Sequence, residues 1–208
     1  MSGTDNHVIG LFATPLMRVE RLLDAAQIAA LLAQLAQTSM TNAKSPGLSH
    51  SALLAPDSSA LLSGVAAAIV PKLADFGELM FGERLPWSIT KMWGNVLHTG
   101  GQQAMHNHAN CFISGVLYLT PSHPSSNTVF IKGQFGRDFA FSHENENTKP
   151  GPFNAEKWVA PDPQPGDLLL FPSHLLHEVP ANAGGRRVSL AFNAIPARLD
   201  CWGWQLLT

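Results

Sequence analysis

The spacing of apolar and polar residues changes character near residue 86. Upstream the pattern is mainly helical. Residues 22–36 (LLDAAQIAALLAQLA) are rich in Ala and Leu, with apolar positions three and four apart, which predicts an amphipathic helix. A second helix is expected from Ser59 to about Phe81, capped by Asp57 or Ser58, with Pro71 kinking it or dividing it in two. Residues 8–19 (VIGLFATPLMRV) alternate loosely and read as a strand with Pro15 at an edge or bulge. Residues 38–51, rich in Ser, Thr, Asn, Pro and Gly, read as a loop. Apolar stripes at helical spacing are normally core, so both helices are expected to buttress one face of a sheet.

Downstream the pattern is that of strands. Residues 87–97 (WSITKMWGNVL) read as a strand, and HTGGQQ as a turn into a strand carrying MHNH. Strands are expected at 111–120, 128–131, 167–171, 175–179, 187–194 and 202–207, with PSHPSSN a turn. Residues 132–163 form a long, weakly patterned stretch, expected to be a binding loop or lid. Helices followed by closely spaced strands predict a mainly β protein with flanking helices, a β-sandwich or open barrel with the helices on one side. The division expected is a single domain over 1–208: 1–85 an N-terminal strand with supporting helices, and 86–208 the β core.

Composition narrows the function. The net charge is −2 and Lys and Arg form no run, so neither nucleic acid nor an anionic membrane has electrostatic support as a partner. Two cysteines, Cys111 in an expected core strand and Cys201, are too few for a disulfide framework and favour a reducing compartment. The first ten residues show no basic region leading into an apolar run, and the apolar stretches 22–35 and 61–70 are too short or interrupted to cross a bilayer. A cytoplasmic protein is expected. A homodimer is compatible with the apolar helices and C-terminal tryptophans, though no motif specifies one.

The chemistry-bearing residues lie in two segments. His106 and His108 are two apart, so on an extended strand both imidazoles face one way, and neutral imidazole is the commonest metal ligand. Two ligands hold a metal poorly; His177, in LLHEVP after the Pro165-Gly166-Asp167 turn and the buried strand DLLLFP, is the candidate third. Ten residues on, Arg187 begins RVSLAFN with Ser189 and Ala191 on its face and Val188, Leu190 and Phe192 on the other. An inward arginine without an anion costs several kcal/mol, roughly the scale of an unpaired buried ion, so an anionic group should meet it.

The pattern H-x-H…SGVLYL…PGDLLLFPS…LH…RVSLAFN resembles the iron(II)- and 2-oxoglutarate-dependent oxygenases, in particular a bacterial branch related to prolyl hydroxylases. The resemblance spans about residues 87–194. It implies a double-stranded β-helix of the jelly-roll or cupin-like kind, with Fe(II) on His106 and His177. It further implies 2-oxoglutarate as cosubstrate, its distal carboxylate held by Arg187 with Tyr118 and Ser189, and ascorbate as an external reductant. Molecular oxygen and a small-molecule or peptide substrate complete the implied reaction. Asn110, His174, Asn193 and Arg137 are candidates for supporting or substrate contacts. The departure from the family pattern is His108, which stands where most members carry an acid. The third ligand is therefore either His108 or a carboxylate of the loop, Glu144 or Glu146; Glu178 alternates to the face opposite His177.

The competing interpretations are specific. A single histidine on a strand is usually a satisfied polar residue, and His98, His123 and His143 carry no ligand geometry. Tyr118, the only tyrosine, fits a core aromatic as well as a cosubstrate contact. The tryptophans, Trp93 among them, read as core or dimer interface, and Arg186 and Lys132 as surface charge. A three-histidine cupin-type metal protein, independent of 2-oxoglutarate, is the alternative function. Against it, the glutamate that cupins place after H-x-H is absent, and cupins have no use for Arg187.

Overall fold

The computed structural model describes residues 10–38, 40–42, 45–133, 143, 145–160 and 162–207. In chain order the elements are β1 (Met17–Val19), α1 (Ala25–Ala36), β2 (Met40–Asn42), β3 (Leu48–Ser51), α2 (Ala60–Phe81), β4 (Trp87–Leu97), β5 (Gln103–His106) and β6 (Ile113–Tyr118). After them come β7 (Val129–Ile131), β8 (Lys157–Val159), β9 (Leu168–Pro172), β10 (Leu176–Val179), β11 (Arg187–Pro196), β12 (Arg198–Cys201) and β13 (Trp204–Leu207). A seven-stranded antiparallel sheet has the order β1-β9-β6-β11-β4-β3-β2, and a four-stranded one the order β5-β10-β7-β8. Strands β4, β6, β9 and β11 belong to the large sheet while β5, β7 and β10 belong to the small one. That alternation winds the chain back and forth between two layers, as a double-stranded β-helix requires.

Strand parity explains how the layers are filled. In β11, Val188, Leu190 and Phe192 are buried in a core shared with Leu31 and Leu35 of α1 and Leu62, Val65, Ile69, Leu73 and Phe76 of α2. Both helices thus pack on the outer face of the large sheet. Their starts follow from local chemistry: Asp24 and Gln27 close a capping box on α1, and Ser59 caps α2 by accepting from the Leu62 N–H. The opposite parity of β11 points between the sheets. There one end of the interior is filled by Tyr118, Phe130, Ala160, Leu169 and Phe171, and the other end stays open as a cavity.

The structure corrects several expectations. Residues 38–51 are not a loop throughout: β2 and β3 extend the large sheet beyond β4, with Leu48 opposite Leu97 and His50 opposite Asn95. Pro71 does not divide α2, which runs unbroken for 22 residues. Its ring lies on the exposed side of the helix, where the lost hydrogen bond opens toward water and a convex outer curve is tolerated. This helix is long and apolar enough to cross a membrane by length and composition, but its apolar stripe is packed on the sheet. The first strand is limited to Met17–Val19, with residues 8–9 outside the described set. The 132–163 stretch contributes β8, paired with β7. Cys111 precedes β6 rather than lying in it, and both cysteines are free thiols. The C-terminal strand is one arm of a separate hairpin, β12–β13.

A buried carboxylate fixes the turn that delivers β9. Asp167, 1% exposed, accepts from Arg18 Nε and Nη2 at 3.0 and 2.6 Å and from the backbone N–H groups of Arg21 and Gln164 at 2.9 and 3.0 Å. Burial alone would raise its pKa, but these donors together hold the carboxyl below its usual range. Gly166 before it has φ +92° and lies so near the Leu23 carbonyl that a Cβ would come within 2.6 Å of it. The Pro165-Gly166-Asp167 turn is therefore tied to the N-terminal segment on both counts.

Candidate metal centre

The cavity between the sheets is about 380 Å³, within the usual size of a small-molecule site. The small sheet supplies three imidazoles. His106 ends β5 directly opposite His177 on β10. The chain then leaves the sheet, and the His108 N–H donates to the Ser173 carbonyl at 2.9 Å. His108 thus joins the pair from the connecting loop rather than from the expected strand, and its position depends on that backbone anchor. The ligating atoms of the three histidines lie within 4.8 Å of one another. Among the described residues no acidic side chain joins the group. Glu146 is exposed in the loop, and Glu144 lies outside the described residues, as does Arg137. Glu178 faces away from the site and pairs with Lys157 at 3.5 Å.

The donor set fits a divalent metal. The Nδ1 atoms of His106 and His177 lie 2.8 and 2.9 Å from the carbonyls of Ala104 and Leu175. A carbonyl can only accept, so each Nδ1 carries the proton and each Nε2 presents a lone pair. His108 Nε2 and His177 Nε2 are 3.3 Å apart. Two nitrogens each about 2.1 Å from one ion are separated by about 3.0–3.4 Å. Burial keeps the rings neutral: it pushes His177 down to about 3, with the proximity of His106 adding to the effect. His108 is pushed down to about 4 by the same two causes, and His106 is lowered by burial against its own hydrogen bonds. Neutral rings are what a metal ligand must be.

The large sheet supplies the opposing wall. Arg187, Ser189, Ala191 and Asn193 of β11 line the cavity beside Lys91, Trp93, Asn95 and Leu97 of β4. Arg187 is 5% exposed, whereas its neighbour Arg186 is exposed. Its Nε donates to Ser122 Oγ at 3.1 Å and its guanidinium carbon lies 5.1 Å from the centre of the Tyr118 ring. No carboxylate among the described residues pairs with it. Tyr118 is fully buried, with its hydroxyl 3.2 Å from Thr128 Oγ1, and sits opposite Ser189 in register. Asn193 accepts from Ser114 Oγ at 2.9 Å. Asn110 and His174 are exposed, and neither lines the cavity.

Sequence reasoning passed over several cavity residues, Lys91, Trp93, Asn95, His50 and Thr128, and Ser122, which meets Arg187. Trp93 is not core; its ring centre is 5.8 Å from that of His108. The signal was parity. Ser189, Ala191 and Asn193 oppose Asn95, Trp93 and Lys91, so once β11 and β4 are known to pair, the inward face of one names the inward face of the other.

A family model described as "Putative 2OG-Fe(II) oxygenase" matches residues 91–193, about half of the chain and all three histidines and Arg187. No curated protein matches the sequence. Solved structures share the fold at low identity. HygX from Streptomyces hygroscopicus, with nickel and 2-oxoglutarate bound, is 14% identical with a TM-score of 0.66, covering 88% of this chain and 83% of that one. The epimerase SnoN of nogalamycin biosynthesis is 18% identical with a TM-score of 0.64, covering 89% and 80%. A prolyl-4-hydroxylase of Pseudomonas putida is 18% identical with a TM-score of 0.60, covering 88% and 94%. With the matching motif placed around a converging histidine triad on a double-stranded β-helix, the chain belongs to the 2OG-Fe(II) oxygenase superfamily, as a 2-oxoglutarate-dependent dioxygenase.

Proposed function

We propose that the protein oxidises an unactivated C–H bond of a small molecule or peptide side chain, most simply by hydroxylation, while 2-oxoglutarate is decarboxylated to succinate. The observation that supports this best is the pairing, across one cavity, of three neutral imidazoles with a buried arginine that no carboxylate meets among the described residues. His106, His108 and His177 would hold Fe(II), and the bound iron and cosubstrate would supply the oxidising power. Arg187 would hold the distal carboxylate of 2-oxoglutarate through its forked donors. Ser122 fixes its Nε, which leaves the two terminal nitrogens for that acid. Tyr118 flanks the guanidinium with its ring, and Ser189 offers a hydroxyl beside it. The apolar packing of Tyr118, Phe130 and Phe171 behind the site keeps bulk water from these contacts.

Binding separates this reading from a three-histidine metal protein that does not use 2-oxoglutarate, the reading that His108 at the acid's position favours. N-Oxalylglycine should bind the nickel-loaded protein. Arg187→Ala should weaken it by more than about thirtyfold, since stripping one partner from a buried charge pair costs about 2–5 kcal/mol. Arg186→Ala should leave it unchanged. Equal losses in both variants, or nickel binding with no N-oxalylglycine binding, would defeat the oxygenase reading. Succinate release with Fe(II), ascorbate and oxygen gives the corresponding turnover measurement.

A further inference from the structure

The cavity is longer than the metal and cosubstrate contacts account for. On β4 and β11 its wall runs from Arg187, opposite Leu97, to Asn193, opposite Lys91. Six residues of extended strand span about 20 Å. The small sheet marks the order along that length. Leu97 packs with Val179, two residues beyond His177, at the arginine end. Trp93 lies against His108. Lys91 and Asn193 therefore stand past the histidines, on the side away from Arg187. If 2-oxoglutarate occupies the arginine side, as proposed above, the lysine side is left for the prime substrate.

The chemistry of that end is one-sided. Lys91 is exposed at the mouth of the cavity that it lines, and among the described residues it has no ion-pair partner. Asn193 is 7% exposed and spends its amide oxygen on Ser114. Its NH2 holds no hydrogen bond among the described residues and faces the cavity. The NH2 lies open to the cavity rather than sealed in the core, so it can donate to an acceptor bound there. Among the described residues no Asp or Glu lines the cavity. Trp93 and Leu53 add apolar surface there, Leu53 being brought alongside by the bridge between Leu54 and Met92.

We propose that Lys91 and the side-chain amide of Asn193 form an anion subsite that selects a carboxylate-bearing prime substrate, whose apolar body packs on Trp93. A cation meets Lys91, Arg187 and the imidazoles and, among the described residues, no carboxylate, so it is disfavoured. An acid gains a charge-assisted bond from Lys91 and a second bond from Asn193. The inference rests on the cosubstrate reading only for which end of the cavity stays free.

The test uses the nickel-loaded protein saturated with N-oxalylglycine, so that Arg187 is already engaged. Small carboxylates and amines on matched carbon skeletons, such as 3-phenylpropanoate with 3-phenylpropylamine, are titrated by saturation-transfer NMR and tryptophan fluorescence. Acids should bind at least about tenfold tighter than their amine partners. Lys91→Gln should erase that preference while leaving melting temperature and N-oxalylglycine affinity as in the parent. Lys72→Gln, on the outer face of α2, should change nothing. Absence of acids among the binders, equal binding of acids and amines, or a preference that survives Lys91→Gln would overturn the subsite. Failure of N-oxalylglycine to bind the parent would instead remove the cosubstrate reading, and the same titrations on the nickel-only protein would still decide the subsite.

Discussion

At the scale of single residues the site is defined by imidazoles held neutral before any metal arrives. Burial is the main cause, and crowding of the rings adds to it. The unfolded chain binds protons on these rings below about pH 6.5, while the folded one refuses them until about pH 4 at His108 and about pH 3 at His177. Stability of the metal-free protein is therefore full above pH 6.5 and falls as the pH drops through that window. Metal binding carries the same signature. Three ordinary histidines at pH 6 would release about two protons on metallation; here His108 and His177 should release almost none and His106, also lowered, less than an ordinary ring, so the count should fall below about one. Calorimetry of nickel binding at pH 6 in buffers of different ionisation enthalpy measures it, and about two protons per metal would contradict the depressed values. His106 and His108 stood out as candidates from the H-x-H motif, and the inward face of Arg187 from the alternation of RVSLAFN. The position of His108 was not legible, because β5 stops at His106 and the second imidazole is placed by the Ser173 carbonyl, 65 residues away in sequence.

At the scale of elements, long patterned segments were legible and short polar ones were not. Strands β4 and β11 and helix α2 carry enough periodic residues to declare themselves. Strands β2 and β3 (MTN and LSHS) do not, because pairing of β3 with β4 and of β2 with β3, rather than their own propensity, makes them strands. His50 on β3 consequently reached the cavity unannounced. Pro71 shows tertiary packing overriding a local rule. It removes one helical hydrogen bond and crowds the Ala67 carbonyl, a penalty of about 3 kcal/mol in an isolated helix. Ile69, Leu73 and Phe76, fully buried on either side of it, hold the helix to the sheet regardless. Pro71→Ala should restore the bond at an exposed position, partly offset by a more flexible unfolded chain. The expected gain is on the order of 1–2 kcal/mol in urea unfolding at unchanged m-value, with N-oxalylglycine binding unaltered. A loss of stability would mean that the proline's bend is itself needed to fit α2 to the sheet.

At the scale of the whole molecule the two sheets contribute different halves of one site. His106 and His177 come from the small sheet, with His108 on the loop that leaves it, while Arg187 comes from the large one. A metal alone therefore ties together β5, β10 and their connection, without touching the opposing wall. A ligand that chelates the metal and reaches Arg187 spans the gap and couples the layers. Ligand binding stabilises the folded state by about 2.7 kcal/mol at a hundredfold excess over its dissociation constant. Nickel should raise the melting temperature by itself. N-Oxalylglycine without metal should raise it little, since Arg187 alone offers one contact. Together they should exceed the sum of the separate shifts, and Arg187→Ala should remove that excess while leaving the nickel increment intact. Differential scanning fluorimetry across the four conditions measures the coupling directly. An N-oxalylglycine shift that persists without nickel, or in the Arg187→Ala protein, would mean that the acid binds elsewhere and that the two walls do not act through one ligand.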